Sequence, residues 1–521
     1  MKRHTLPVSE SRQLPPLIAD YLAGEERLAS LYSYSPDLVG AKNAVKERSF
    51  SQTKWNVLCE VLEDQYRESG LTPPSSLEDL QKEGTLTVTT GHQLCLFGGP
   101  GFFVYKIIAA VQWAQCIQKE YGVRVLPVFW MASEDHDVAE IDHAWFGEQK
   151  VTADWEQQVP SGRLGTAAAR ALLPNLKETL PAEMIRLLEH AYDTDNLSKA
   201  TRRLVHELFS DTDLLILDGD DRRLKQQMVP MFEKEITEQS AYEHTRRTSE
   251  WLAEHYKSQA HVRDVNLFML DGMKRSRIKK EGDEFRVDGI GRFTQSELVD
   301  KLHACPEMFS PNVILRPVYQ EVILPNIMYL GGPGELSYWL QLKGIFDGWQ
   351  VPMPVVQLRH SYLFIDQAAS RKLGQLNMDV KDLFRSVNEL LETWLSNEKG
   401  VSVDLSKERQ QLEVLISGLQ EQVEKVDPSL VRSIQAEQAK MMRSLDRIEK
   451  KWWRAERRKE SVTAERINFL KDQAFPQGVP QERLQSIFYV LGNETHDFIR
   501  NECNLHDSKT VCTPKYSIFE M

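Results

Sequence analysis

Thr85-Leu86-Thr87-Val88-Thr89-Thr90-Gly91, then Phe102 to Gln118, then Val123 to Met131 are the stretches whose reading decides the fold. The first is rich in β-branched residues and runs into a glycine turn. The second carries apolar residues at helical spacing, and the third, Val-Arg-Val-Leu-Pro-Val-Phe-Trp-Met, is apolar on both faces. A strand apolar on both faces is one that helices cover from above and below. The three stretches therefore predict a βαβ unit of right-handed crossover. Further α/β signals lie at Leu214 to Asp218, leading into a helix after Asp221, and at Val313 to Leu324, Glu335 to Phe346 and Met353 to Leu358. Together they predict an open, mostly parallel sheet.

Working outward, the texture changes twice. Trp145 to Leu173 alternates polar and apolar residues, and Leu267 to Phe293 reads as short antiparallel strands joined at Asp271-Gly272 and Glu281-Gly282, as expected of segments inserted into the core. From Lys407 to Asp472 the apolar residues Leu412, Leu415, Leu419, Val423 and Val426 fall three or four apart. Asp427-Pro428 interrupts them, and Leu430, Ile434, Met441, Leu445, Ile448 and Trp452 continue the pattern, which predicts two long helices folded back as an antiparallel coiled coil. Such a hairpin reads as a dimer contact or structural arm without chemistry.

At 521 residues the chain exceeds what one hydrophobic core serves, so several domains or large insertions are expected. Acidic residues outnumber basic ones by 76 to 64, a formal net charge of -12, which removes the electrostatic footprint of a nucleic-acid binder and leaves small molecules as ligands. The longest apolar stretch in this region, Val125 to Ala132, is far too short to cross a bilayer, so no membrane partner is expected. Met1 to Arg12 lacks the apolar run of a secretory signal. Six cysteines contain no Cys-x-x-Cys pair, which fits reduced thiols and a cytoplasmic location.

The glycine-rich turn Gly98-Gly99-Pro100-Gly101 recurs as Gly331-Gly332-Pro333-Gly334-Glu335, with Tyr105 and Tyr338 each four residues beyond the last glycine. Both precede a helical pattern and a proline-containing apolar strand. Glycine lets backbone approach a ligand, and the free N–H groups of a helix start favour an anion, so the two turns are expected to face one crevice. A tight strand-to-helix turn with no ligand is the competing reading. Neither turn is a P-loop or a Gly-x-Gly-x-x-Gly fingerprint. Lys106 is either a partner for phosphate or carboxylate or a solvated helix lysine. His92 and Gln93 follow the first strand, at the carboxyl edge where open α/β sheets bind ligands.

The carboxyl end of the next strand carries Ser133-Glu134-Asp135-His136-Asp137 and Glu140. Four carboxylates and an imidazole in this space can bind an amine or a divalent ion and support general-base work. A capping box from Asp137 to Glu140, or a cap from Ser133, is the structural alternative. Arg316, Gln320 and Glu321 stand on what reads as an otherwise buried strand before Asn326, where polar groups need either a ligand or a core network. His496, Cys503, His506 and Cys512 lack the spacing of a zinc site, and no metal site is assigned. The basic run Lys274 to Lys280 reads as a solvated hairpin.

The combination of Thr90-Gly91-His92-Gln93, Gly98-Gly99-Pro100, Pro127-Val128-Phe129-Trp130, Ser133 to Asp137 and Gly331 to Glu335 resembles the cysteine-adding enzymes of bacillithiol biosynthesis, the cysteine ligases. The resemblance runs through the hairpin to Phe475-Pro476-Gln477-Gly478 and Gln481-Glu482-Arg483. It implies an α/β fold with a Rossmann-like, mostly parallel sheet core, inserted connecting segments and a long coiled-coil hairpin that makes homodimers. The expected boundaries are core with N-terminal helices over residues 1–144, inserted segments over 145–300, second part of the core over 301–400, hairpin over 401–473, and a C-terminal segment packing back over 474–521.

The activity implied is the joining of the carboxyl group of L-cysteine to the amine of glucosaminyl-malate. Amide formation from a free carboxylate requires activation, which makes ATP the expected cosubstrate, with ADP binding as its counterpart; adenylate and acyl phosphate stay open, as does a divalent metal. Asp135, His136, Asp137 and Glu134 are the expected catalytic residues. Gln93, His92, Gly98, Gly99, Tyr105, Lys106, Arg316, Gln320, Gly331, Gly332, Glu335 and Tyr338 are expected at substrate. Pro480-Gln481-Glu482-Arg483 reads as the opening of a helix, so Gln481 and Arg483 are expected to hold nucleotide phosphates. A non-catalytic nucleotide-binding scaffold is the alternative function.

Overall fold

The computed structural model describes residues 2–155, 159–257, 260–272, 274–400, 404–505 and 507–521. Strand β1 (Leu86–His92) leads through a turn into helix α1 (Phe102–Tyr121), then β2 (Val125–Met131) and, after several helices, β3 (Leu215–Asp218). An inserted antiparallel sheet follows, made of β4 (Leu267–Asp271), β5 (Lys274–Glu281), β6 (Glu284–Val287), β7 (Gly291–Thr294) and β8 (Phe309–Pro311). Helix α2 (Arg316–Ile323), β9 (Asn326–Gly331), helix α3 (Pro333–Gln341) and β10 (Val355–Leu358) complete the core.

The central sheet runs β10-β9-β1-β2-β3 with every pairing parallel. Parallel pairing places His92, Met131, Asp218, Gly331 and Leu358 at one carboxyl edge. Val88, Ala110, Trp113, Ile117, Val125, Met328 and Val355 form one core cluster, in which α1 covers the sheet. The threonines of β1 are buried because neighbouring strands satisfy them: Thr89 Oγ1 donates to Asn326 Oδ1 at 2.9 Å and Thr90 Oγ1 to the Leu330 carbonyl at 2.8 Å. The inserted sheet runs β7-β6-β5-β4-β8, joined by antiparallel pairs.

Two expectations are corrected. Arg316 and Gln320 lie on a helix, not a strand, because Pro317 stands at the first turn, where its missing N–H costs nothing. The strand begins only at Asn326, after Pro325. Gln481–Arg483 forms a three-residue 3-10 turn rather than the start of a helix. The next helix, Ile487–Leu491, starts where the Ser486 hydroxyl accepts the Phe488 N–H. Glu482 cannot serve as a cap because both its oxygens pair with buried Arg359, at 2.8 and 2.9 Å.

By compactness the chain divides into two units, Thr5–Leu363 with Gln481–Ser517, and Met1–His4 with Phe364–Pro480 and Ile518–Met521. The second unit contains helices α4 (Ser406–Glu424) and α5 (Val431–Lys459), antiparallel around a turn whose start is capped by Asp427. Arg409 of α4 pairs with Asp446 and, at 2.6 Å, with Glu449 of α5. Val401 to Val403, at the expected start of this hairpin domain, lie outside the described residues, as does His506. Among the described residues no helix is long and apolar enough to cross a membrane.

Candidate active site

Lys106 lies in the first turns of α1, yet it is buried, so it is not the solvated lysine that its helix position allows. Its ammonium donates to the Gly91 carbonyl at the end of β1 and to both Glu335 oxygens at 2.8 Å. Glu335 stands in the first turn of α3 and also accepts the Gly332 N–H at 2.9 Å and the Tyr329 hydroxyl at 2.6 Å. Burial pushes this carboxyl up, but the Lys106 ammonium and these donors outweigh it and hold the group at about 2. The second glycine turn thus spends its helix start on its own Glu335. Together the contacts place Lys106 and Glu335, each following one of the two turns, at the same edge of the sheet. A Cβ on Gly99 would come 2.5 Å from the Cys95 Cβ at a φ of +58°, so glycine is required there for a tight turn.

The acidic motif follows β2. Gln93 Nε2 donates to Asp135 at 2.7 Å and to Glu140 at 2.8 Å, clasping the end of β1 to the motif. Asp135 accepts the His136 and Asp137 backbone N–H groups with its other oxygen. Asp137 precedes a short helix, Val138–Ile141, but makes no side-chain cap, and it is exposed. The capping box is therefore absent, since Glu140 goes to Gln93. Ser133 donates to Asp218 instead of capping. Glu134 turns inward, where the fully buried Lys225 lies 2.6 Å from both it and Asp220. Burial raises the Glu134 carboxyl, opposed by that ammonium.

Arg316 lies against the end of β1. A Cβ on Gly91 would sit 3.5 Å from its Nη1, and its guanidinium stands 5.8 Å from the Trp130 ring and 5.5 Å from the Tyr329 ring. It donates to Gln320 at 3.2 Å and bonds with Tyr338, while Nη2 is buried with no hydrogen-bond partner among the described residues. Gln320 is drawn into a core network by donating to Glu321 at 2.8 Å. Trp130 packs edge-on against Tyr319.

His92 donates from Nδ1 to the Gln93 carbonyl at 2.9 Å and packs on Phe102 and Phe103. Burial, helped by Lys106, pulls its pKa down to about 4. Gly98 faces Leu204 and Phe488, and Tyr105 packs among Tyr362 and Phe498, so both line apolar core. Gln481 is buried and Arg483 exposed.

Sequence reading missed Arg275. It belongs to the basic run of the inserted sheet, but instead of being solvated its side chain is 7% exposed. Its Nη1 lies 3.1 Å from His136 Nδ1, Nε donates to Ser310 Oγ at 3.0 Å, and Nη2 donates to the Pro311 carbonyl at 2.8 Å. The available signal was strand alternation, which turns Arg275 and Lys274 to opposite faces.

The description "Bacillithiol biosynthesis BshC, N-terminal Rossmann-like domain" matches residues 1–360, and "Bacillithiol biosynthesis BshC, C-terminal coiled-coil domain" matches residues 362–514. The chain belongs to the BshC family. Relatives named "Putative cysteine ligase BshC" include one from Cytophaga hutchinsonii, 35% identical, covering 94% of each chain. One from Flavobacterium johnsoniae is 34% identical over 92% of this chain and 93% of its own. Another, from Bacillus cytotoxicus, is 26% identical over 93% and 94%. The BshC domains match the sequence reading of a Rossmann-like sheet followed by a coiled coil.

Proposed function

We propose that this BshC-family ligase joins the carboxyl group of L-cysteine to the amine of glucosaminyl-malate at the carboxyl edge of the central sheet, in the cytoplasm. The observation that carries the reading is that this edge brings an acidic motif together with a buried guanidinium nitrogen that has no hydrogen-bond partner among the described residues. Asp135, Asp137 and Glu140 gather just beyond β2, with Asp135 and Glu140 held by Gln93. Arg316, with a buried nitrogen that has no hydrogen-bond partner among the described residues, stands against Gly91 at the end of β1, whereas Lys106 is taken up by Glu335 and the Gly91 carbonyl. Carboxylates suit an ammonium group and cations suit an acid, which orients an amine and a carboxylate toward each other.

Asp137 is exposed and uncapped, and in this reading it takes the proton that the amine loses as it attacks. Asp135 is already committed to three N–H donors and holds the loop in place. Glu134, tied to Lys225, anchors the motif from beneath. His92 is neutral near pH 7, with Nδ1 given to the Gln93 carbonyl and its ring packed on Phe102 and Phe103.

ATP is the expected cosubstrate, and when bound it supplies activation of the carboxyl group. The residues expected to hold it fit in part: Arg483 is exposed and suits a phosphate, whereas buried Gln481 and the 3-10 turn offer no helix start. Assembly as a homodimer through α4 and α5 belongs to the same proposal, because most of the apolar seam of the hairpin stays uncovered in the single chain. Mass-spectrometric assay of cysteinyl product from glucosaminyl-malate, L-cysteine and ATP tests the activity. Absence of product, with nucleotide bound and protein folded, would favour the scaffold reading.

A further inference from the structure

We infer that Arg275 is a positioning residue that fixes His136 as the neutral imidazole with its proton on Nε2, so that His136 meets substrate as a hydrogen-bond donor and not as a base. The inference rests on the ligation reading of this edge, but its first test does not.

A guanidinium carries five N–H donors and no acceptor. Arg275 Nη1 lies 3.1 Å from His136 Nδ1, so Nδ1 must present its lone pair, and the one ring proton of a neutral imidazole then sits on Nε2. Arg275 cannot turn away. Its Nε is held by Ser310, its Nη2 by the Pro311 carbonyl, and its Cζ lies 4.0 Å from the centre of the Phe268 ring, which also meets the His136 ring at 5.4 Å. The charged groups around His136 are Arg275 from β5, Asp135 with an oxygen 3.9 Å away, and Asp137 next in sequence. The two carboxylates favour an imidazolium, but burial and then Arg275 prevail and lower the pKa. Protonating Nδ1 would also set N–H against N–H.

The chemistry follows from the tautomer. When the amine nitrogen attacks the activated acyl carbon of L-cysteine, the C–N bond forms and the carbonyl π pair moves onto oxygen. That oxygen gains charge and accepts from Nε2–H. The amine proton passes to the Asp137 carboxylate, and the phosphate-type leaving group departs with its bond pair as the carbonyl re-forms. His136 gains and loses no proton.

The test is long-range 1H–15N correlation on full-length protein labelled in histidine, with His136→Phe to assign the resonances. The expected spectrum shows Nδ1 unprotonated, Nε2 protonated, and His136 titrating below the ordinary histidine range. In Arg275→Met, both tautomers appear and the pKa rises, whereas Arg275→Lys, still a donor-only cation, keeps the proton on Nε2. His136→Phe lowers kcat about 10²-fold with little change in KM, and His136→Gln, which retains a donor, recovers part of it. A proton on Nδ1, ordinary titration in the wild type, or an unchanged spectrum in Arg275→Met would overturn the positioning role. Full activity in His136→Phe would overturn the donor role. The expected tautomer without any cysteinyl product would overturn the ligation reading alone.

Discussion

Lys106 Nζ sits 2.8 Å from both carboxylate oxygens of Glu335, and the two residues stand in the first turns of the helices that follow the two Gly-Gly-Pro-Gly turns. The pair therefore joins two distant parts of the sequence at one edge of the sheet. A charge left alone in such a place is costly. Lys106→Met should destabilise the protein by about 3 kcal/mol, and Lys106→Met combined with Glu335→Gln should recover part of that loss. Urea unfolding of the single and double variants measures it. Additive losses would mean that the two groups are not coupled.

Asp137→Asn should keep the fold and lower the rate of cysteinyl product formation by about 10² to 10⁴, because it removes an exposed proton acceptor and no structural contact. Asp135→Asn should differ in kind. It presents an amide to donors from Gln93, His136 and Asp137, so one N–H loses its acceptor. A fall in both stability and activity is expected there. Equal, full activity of both variants would remove the acidic motif from the chemistry.

The βαβ order and parallel sheet were legible because strands buried on both faces leave a plain apolar signature, as in Val125 to Met131. The acidic motif and Gln93 were legible as residue types at a strand end; that Gln93 would grip Asp135 and Glu140 was not, since they lie 42 and 47 residues away in sequence. Arg316 to Ile323 was misread because Val318, Val322 and Ile323 have strand propensity, while Pro317 and the i, i+4 spacing fit a helix equally well. Arg275 and Lys225 stayed hidden for a related reason. Burial of a cation depends on partners that tertiary structure alone brings near, here Ser310, His136, Glu134 and Asp220.

His92 supplies a pH signature. Its folded pKa of about 4 lies below the ordinary value of 6.5, so between these values the unfolded chain binds more protons. Stability from this residue is complete above about pH 6.5 and is lost as pH falls toward 4, by at most about 3 kcal/mol. Glu235 and Glu321, both pushed up to about 7 by burial, act in the opposite sense, since their contribution falls as pH rises through that range. The difference between wild type and His92→Gln isolates the histidine. The stability advantage of wild type over His92→Gln, read from urea midpoints, should be larger at about pH 7.5 than at about pH 5, and an equal advantage at both would count against a neutral imidazole.

The hairpin gives the last prediction. Within α4 the buried position is Ile416, and α5 has none, although both carry long apolar seams. Leu415 is 58% exposed, Ile448 54% and Val426 84%, so folding one helix on the other leaves much of the seam in water. Arg409 links the two helices through Asp446 and Glu449, and the apolar residues left in water are available to a second copy. Leu415→Lys with Leu419→Lys, four residues apart on one face of α4, should abolish a dimer and preserve helical content. Light scattering should report the mass of one chain, and circular dichroism should be unchanged. A dimer that survives both lysines would place the homodimer contact elsewhere.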